Sequence, residues 1–179
     1  MIKTTTGFYL LGDPSDDVRA SNGLLVYSTS AAASVSIGDK ISVNGRISDY
    51  RSSSQPNYMY LTELVSPTGL TVVSTGNTPT PIVLGVDRSP PTQYMSSLDD
   101  GSDGWLSAPN NASRITTANP TLQPDVYGMD FWESLDGQLV VVPSPIALNF
   151  DNRFGEFWVR GDWATSGLNE RGGLTLTFG

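Results

Sequence analysis

Short apolar runs, each closed by Gly, Asp, Asn or Pro, dominate this chain and constrain its fold more than any other feature. Runs of this length between turn residues are typical of β-strands, and many in succession predict an all-β fold. Gly45, in the middle of the third run, predicts a bulge or sharp bend. We expect strands at 7–11, 24–28, 40–49, 58–65, 70–74, 82–86, 138–142, 146–150, 156–160 and 174–178.

The sequence predicts one helix, over Asp130–Leu135. Asp130 can cap its N-terminus, Glu133 three residues later completes a capping box, and Gly137 ends it. A capping role accounts for both carboxylates without any acid–base chemistry. We expect Trp132 on this helix to pack against the end of the β-structure.

Three segments follow from the distribution of proline along the 179 residues. Seven prolines between 76 and 125 interrupt any strand pairing, and we expect an ordered connecting segment there. Residues 1–75 and 126–179 on either side are each long enough for strands of a small β-domain.

The residue types exclude several classes of enzyme. The chain has no Cys and no His, which removes thiol nucleophiles, Cys-ligated zinc and the Ser–His–Asp triad. We therefore expect a protein without catalytic activity of its own. No apolar run approaches about 18 residues, so we expect no membrane partner.

Charge limits the partners that the chain can bind. The net charge is −8; residues 1–75 hold five basic and six acidic residues, and residues 76–179 hold five basic and twelve acidic ones. A contact with nucleic acid made through electrostatics should therefore fall on the first part. The acidic total argues against strong, non-specific binding of nucleic acid.

Both halves of the chain resemble one protein family. The residues that carry the resemblance are GFYLLGDP (7–14), SNGLLVY (21–27), VSIGDKISVNGRI (35–47), NPTLQP (119–124), YGMDFWESL (127–135), NRFGEFWV (152–159), GDW (161–163) and NERGGL (169–174). They are similar to the region that precedes the catalytic domain in extracellular nucleases of the endonuclease/exonuclease/phosphatase superfamily, the second half to the fungal members.

The resemblance implies an extracellular chain with two small OB-like Greek-key barrels in tandem. The first would occupy 1–75 with its initial strand missing or short, and the second 126–179 without its C-terminal strands. In that family a hydrolytic domain follows this region. Its catalytic residues, a His among them, have no counterpart here, so no catalytic residue is carried over.

Five residues across one predicted hairpin suit single-stranded nucleic acid: Arg46, Tyr50, Arg51, Tyr58 and Tyr60. OB-type barrels stack bases on aromatic rings beside a basic groove. The alternative is that Tyr58 and Tyr60 are ordinary strand residues on one face that pack on a neighbour. Trp158 and Trp163 are further candidates for stacking on bases or sugars. Phe157 and Trp158 are adjacent, so we expect one to face inward and the other outward.

Two acidic loops and one sequon complete the candidate sites. Asp13, Asp16 and Asp17 could bind calcium through oxygen ligands, and 99–104 partly resembles a calcium loop, although Asp-rich turns are usually just turns. The sequence otherwise predicts no cofactor. Asn111 begins a glycosylation sequon.

Three functions remain open from the sequence. The first is a non-catalytic extracellular module, accessory to a secreted nuclease-like protein, that holds single-stranded nucleic acid or another polymer. The second is a structural subunit that forms filaments by strand addition, with the strand of Leu174, Thr175, Leu176, Thr177 and Phe178 completing the barrel of another copy. The third is a carbohydrate-binding module that uses Trp and Tyr faces.

Overall fold

The chain folds mainly into strands, which confirms the all-β prediction. A computed structural model describes residues 3–55, 59–96, 121–165 and 167–175. Within these ranges no helix is both long and apolar enough to cross a membrane.

A four-stranded sheet forms the first part of the chain. Its strands are β1 (Gly7–Leu11), β2 (Gly23–Tyr27), β3 (Lys40–Tyr50) and β4 (Leu61–Ser74), in the order β1-β2-β4-β3. β2 pairs antiparallel with β1 and parallel with β4, while β3 and β4 are antiparallel. β1 matches its predicted bounds, and β4 joins two predicted strands into one.

A short helix that the sequence analysis did not predict, α1 (Thr29–Ala33), connects β2 to β3. Ser28 precedes it, and its hydroxyl accepts a hydrogen bond from the Ala31 N–H at 3.2 Å. A serine N-cap and a run of alanines both favour a helix, and the small Ala31 and Ala32 are buried under the sheet. Together with β3, α1 makes up the long connection that the parallel pair of β2 and β4 requires.

The core of the first part lies on one face of the sheet. Phe8, Val26 and Leu64 come from three neighbouring strands and are buried together with Val35 and the alanines of α1. Val26 and Leu64 are register partners, so their side chains emerge on the same side.

The predicted irregularity at Gly45 is confirmed, because the register of β3 against β4 shifts between Asn44 and Arg46. A Cβ at position 45 would overlap the Leu64 side chain. Glycine is therefore the residue that lets β3 cross close to the core at this point.

The second part has shorter strands than the sequence predicted. They are β5 (Ile82–Val83), β6 (Val140–Val141), β7 (Ile146–Ala147) and β8 (Val159–Arg160), and β5 pairs parallel with β6 while β7 pairs antiparallel with β8. Pro143 and Pro145 lack the N–H that a ladder needs, and Ser144 between them has a φ of 43°.

The predicted helix is present as α2 (Gly128–Glu133), which begins two residues earlier than expected. Its Phe131 is buried with Leu84 and Leu135 in a second core, against which Ile82, Val140, Val142 and Trp163 pack. All residues of the first core lie before residue 75, and all residues of the second core lie after residue 81. The division into segments at 75 and 125 stays a prediction.

A close contact between two glycines joins the sheet to the turn after α2. Gly23 begins β2, and a Cβ there would overlap the backbone carbonyl of Gly137. Gly137 has a φ of 69°, a conformation that glycine adopts readily. The Ser21 hydroxyl donates to the Asp136 carbonyl beside this contact.

We predict that Gly23→Ala lowers the free energy of unfolding by about 1–3 kcal/mol or more, because its methyl group must displace rigid backbone. Gly12→Ala is the matched control, since the nearest atom to a Cβ there would be Asn22 O at 3.4 Å, an ordinary van der Waals distance. Urea unfolding of both variants is the measurement. Equal losses of stability would contradict the close approach.

Candidate functional site

Helix α2 is held in place by polar contacts at both ends. The buried Asp130 carboxylate accepts a hydrogen bond from the Gln123 N–H at 2.8 Å. Near the C-terminal end, Arg88 donates to the Ser134 hydroxyl at 2.9 Å and its guanidinium lies 5.0 Å from the centre of the Phe131 ring. These contacts fix the orientation of α2 against the second core.

The predicted capping box is wrong. The N-cap is Tyr127, which makes no side-chain capping bond, and Asp130 lies inside the first turn. Because the helix starts earlier, Glu133 lies in its last turn and cannot reach the N-terminal N–H groups. Its carboxyl instead lines the surface between α2 and the sheet.

That surface contains an open groove, which we call the α2 groove. It has a volume of about 450 Å³ and is lined by Met59, Tyr60 and Leu61 at the start of β4 and by Met129, Trp132, Glu133 and Asp136 from α2 and the following turn. Apolar and aromatic side chains make up most of the lining. Glu133 and Asp136 contribute two carboxyl groups to this lining.

Two aromatic side chains of the groove are available to a ligand. Trp132 is 50% exposed and Tyr60 is 38% exposed. Trp132 is held edge-on against Phe131, with ring centres 5.2 Å apart. It lies across the groove from the start of β4, where it was expected to pack, but half of it remains exposed. The Arg51 guanidinium lies 4.4 Å from the centre of the Tyr60 ring, a distance at which the cation is attracted to the ring face.

A second groove of about 490 Å³ lies on the other side of the same carboxyls. Glu133 and Asp136 line it together with residues of β1, β2 and the loop between them, Leu10, Gly12, Ser21, Asn22, Gly23 and Leu24, and with Thr62 and Leu122. The two carboxyls therefore lie between the two grooves and border both.

The environment favours the protonated form of both carboxyls. Burial raises the pKa of Glu133 to about 7, and the negative charges of Asp136, Asp130 and Asp49 add to the effect. Burial also raises the pKa of Asp136, although hydrogen bonds from the backbone N–H groups of Thr62 and Gly137 oppose the shift. Near pH 7, Glu133 can both donate and accept hydrogen bonds.

The structure brings together part of the residue set predicted for nucleic acid. Arg51 and Tyr60 are in contact, and Tyr50 is exposed at the end of β3 opposite Leu61. Arg46 is exposed earlier in β3, in the middle of the strand, where it lies opposite Val65. Tyr58 lies outside the described residues. Sequence reasoning missed Met129, although its spacing of three from Trp132 places both on one face of the helix.

The aromatic residues of the C-terminal part depart from expectation. Phe157 and Trp158 are both exposed, so the prediction that one faces inward is wrong. Both residues precede the β8 ladder, which begins at Val159, so strict alternation does not apply to them. Trp163 is half-buried against the second core, beside Gly161.

The acidic loop before β2 shows an internal ion pair. Asp17 accepts hydrogen bonds from Arg19 Nε at 2.8 Å and from its Nη2 at 2.7 Å, which lowers the pKa of Asp17 to about 2. Within the described ranges, no three His, Cys, Asp or Glu residues come together as a metal site, and Asp13, Asp16 and Asp17 form no such group.

Three further predicted features fall wholly or partly outside the described residues. These are the acidic loop 99–104, Asn111, and Leu176, Thr177 and Phe178 of the assembly strand. The first two residues of that strand are described: Leu174 pairs with Leu168, and the Thr175 N–H donates to Gly167 O at 3.1 Å. This part of the strand is already paired within its own chain.

Comparison with known proteins gives one family. Residues 83–179, more than half of the 179-residue chain, match the family described as "Domain of unknown function (DUF8508)". The match begins at the second residue of β5, near the start of the segment that contributes the second core. No curated protein and no solved structure matches the chain.

We predict that the stability of the protein falls as pH rises through about 7, because of Glu133. The pKa of its carboxyl is higher in the folded chain than its ordinary value of 4.5, so folding favours the protonated form. The stability that this protonation contributes is complete below about pH 4.5 and is lost as the pH rises through about 7. Glu133→Gln removes this dependence.

The measurement is the free energy of unfolding of wild type and variant at about pH 5 and about pH 8. Glu170→Gln, at an exposed position outside both grooves, is the matched control and should leave the pH dependence unchanged. The same pH dependence in wild type and Glu133→Gln would contradict the assignment.

Proposed function

This chain belongs to the DUF8508 family, and we propose that it is a non-catalytic binding module that holds a glycan chain in the α2 groove. The observation that carries the proposal is the placement of exposed Trp132 and Tyr60 beside the carboxyls of Glu133 and Asp136 in one open groove. Aromatic rings stack on the apolar faces of sugar rings, and carboxyls bind their hydroxyl groups.

The charge around the groove favours a neutral ligand. Burial is the main cause of the raised pKa of Glu133, and the negative charges of Asp136, Asp130 and Asp49 raise it further. A phosphate backbone placed there would meet the same repulsion. A glycan without charge avoids it, and a protonated Glu133 can donate a hydrogen bond to a sugar oxygen.

The open form of the groove suits a chain ligand. One wall is α2, held by the contacts of Asp130 and Arg88, and the other is the segment that leads into β4, where Leu61 pairs with Tyr50. A groove between rigid elements loses little entropy when a ligand binds.

The strand order supports an OB-like barrel for the first part. OB-folds are five-stranded, partly open Greek-key barrels that bind oligonucleotides and oligosaccharides. The order β1-β2-β4-β3, with α1 between β2 and β3, suits such a barrel with its initial strand missing or short. A second OB-like barrel in 126–179 and a place in a secreted nuclease-like protein rest on the sequence resemblance.

Single-stranded nucleic acid is the second candidate ligand. The contact between Arg51 and Tyr60 favours it, since base stacking next to a cation is the usual way in which such barrels hold a single strand. Its binding would weaken with added salt, whereas binding of a neutral glycan would not.

We predict that Trp132→Ala weakens the binding of soluble oligosaccharides by at least about tenfold, or about 1.4 kcal/mol, because the stacking surface is lost. The probes are neutral oligomers of glucose, mannose and N-acetylglucosamine, titrated into the whole chain by calorimetry. Tyr27→Ala is the control, because Tyr27 is an exposed aromatic residue at the end of β2 outside the groove.

Labelled oligothymidylate forms the second arm of this experiment. Binding of the oligonucleotide that falls with salt and is lost in Arg51→Ala, together with no binding of any oligosaccharide at about 1 mM, would replace the glycan by nucleic acid. Oligosaccharide binding that is equal in wild type and Trp132→Ala would remove the α2 groove as the site.

A further inference from the structure

A loop between β7 and β8 carries a dense group of exposed aromatic side chains, which we call the aromatic loop (148–158). Phe150 is 94% exposed, Trp158 72%, Phe154 69% and Phe157 58%. Single exposed apolar residues are normal on protein surfaces, but four large ones on one short loop indicate an interaction site.

The aromatic loop is held in shape by its own hydrogen bonds. The Asn152 side chain accepts from the Phe154 N–H at 2.8 Å and from the Glu156 N–H at 3.1 Å, and it donates to the Glu156 carboxylate at 2.8 Å. The Trp158 N–H donates to the Asn149 side chain at 2.7 Å. Backbone bonds from Leu148 to Trp158 and from Asn152 to Glu156 close the loop.

These bonds also decide what chemistry the loop presents. The amide oxygen of Asn149, the whole amide of Asn152 and one carboxylate oxygen of Glu156 are engaged inside the loop. Sugar recognition needs such groups pointed at the ligand, together with an aromatic face. In this loop those polar groups make hydrogen bonds within the loop itself, and the surface that remains is mainly aromatic. An aromatic surface of this kind is typical of the core of a protein–protein interface.

We propose that the aromatic loop is the contact between two copies of this chain, which form a symmetric dimer. Across a two-fold axis, the aromatic loop of one copy faces the aromatic loop of the other, so each loop covers the exposed rings of its partner. Charged residues on the loop have both signs, Arg153 beside Asp151 and Glu156, so two copies can place unlike charges opposite each other.

The area of the loop is sufficient for a dimer. Large aromatic side chains bury about 150–250 Å² each when fully covered, so the exposed parts of these four amount to about 600 Å² per copy. Two copies would bury about 1,200 Å², within the range of specific interfaces. Exposed Ile146 and Val159 at the base of the loop extend the same surface.

This proposal is independent of ligand binding in the α2 groove, because it rests on different residues. It also differs from filament formation by strand addition, since the contact is made by side chains and closes after two copies. The net charge of −8 on each copy opposes association, so added salt should strengthen the dimer by screening this repulsion.

Sedimentation equilibrium of the whole chain from about 1 to about 200 micromolar tests the proposal. We expect a species of 19.2 kDa to give way to one of twice that mass as concentration rises, at lower concentration in about 500 than in about 50 millimolar salt. Phe150→Ser with Trp158→Ser should raise the dissociation constant at least about tenfold. Ile37→Ser, at an exposed apolar residue between α1 and β3, is the control.

Thermal unfolding of the variants checks that they remain folded, as expected for exposed positions. A single 19.2 kDa species at every concentration, or a dimer that the double variant leaves unchanged, would overturn the proposal. A monomer that binds phosphatidylcholine vesicles through Phe150 and Trp158 would also overturn it and assign the loop to a lipid surface.

Discussion

The contact between Gly23 and Gly137 is the constraint on which the rest of the molecule depends. It brings the first strand position of β2 against the turn that follows α2, close enough that neither residue can carry a side chain without a shift of backbone. The Ser21 hydroxyl and the carbonyl of Asp136 bond beside it. Both grooves lie next to this contact, so the walls of the candidate site are set where the sheet and the helix touch.

The most informative difference between sequence and structure concerns α2. A capping box is a local pattern, and Asp130 and Glu133 fit it, but burial of Phe131 and the bond from Gln123 to Asp130 decide where the helix starts. A shift of two residues moves Glu133 from a capping position to the surface of two grooves. The aromatic and acidic residues of the site could be read from the sequence, but their meeting across distant segments could not.

Strand prediction succeeded where turns are fixed by local chemistry. β1 ends at Leu11, directly before Gly12 and Asp13, and its predicted bounds match, while the irregularity at Gly45 follows from its missing side chain. Helix α1 was missed because the predicted strand 24–28 includes Ser28, which instead caps the helix, and five residues are too few to show a helical period. The exposed aromatic loop was missed for a different reason. Alternation along a strand assumes a ladder, and here backbone N–H groups donate to the Asn149 and Asn152 side chains instead.

The parallel pairing of β2 with β4 has a consequence for how the chain acquires its structure. Leu25 and Glu63 are register partners although 38 positions separate them (63 minus 25), whereas β3 and β4 meet across a short connection. Bringing β2 and β4 together closes the larger loop and costs more chain entropy, and this cost comes before the contacts between the two strands can offset it. The β3–β4 hairpin should therefore form early and act as the template on which β2, and then β1, is added, and the buried face of β2 stays open to other chains until that step is complete.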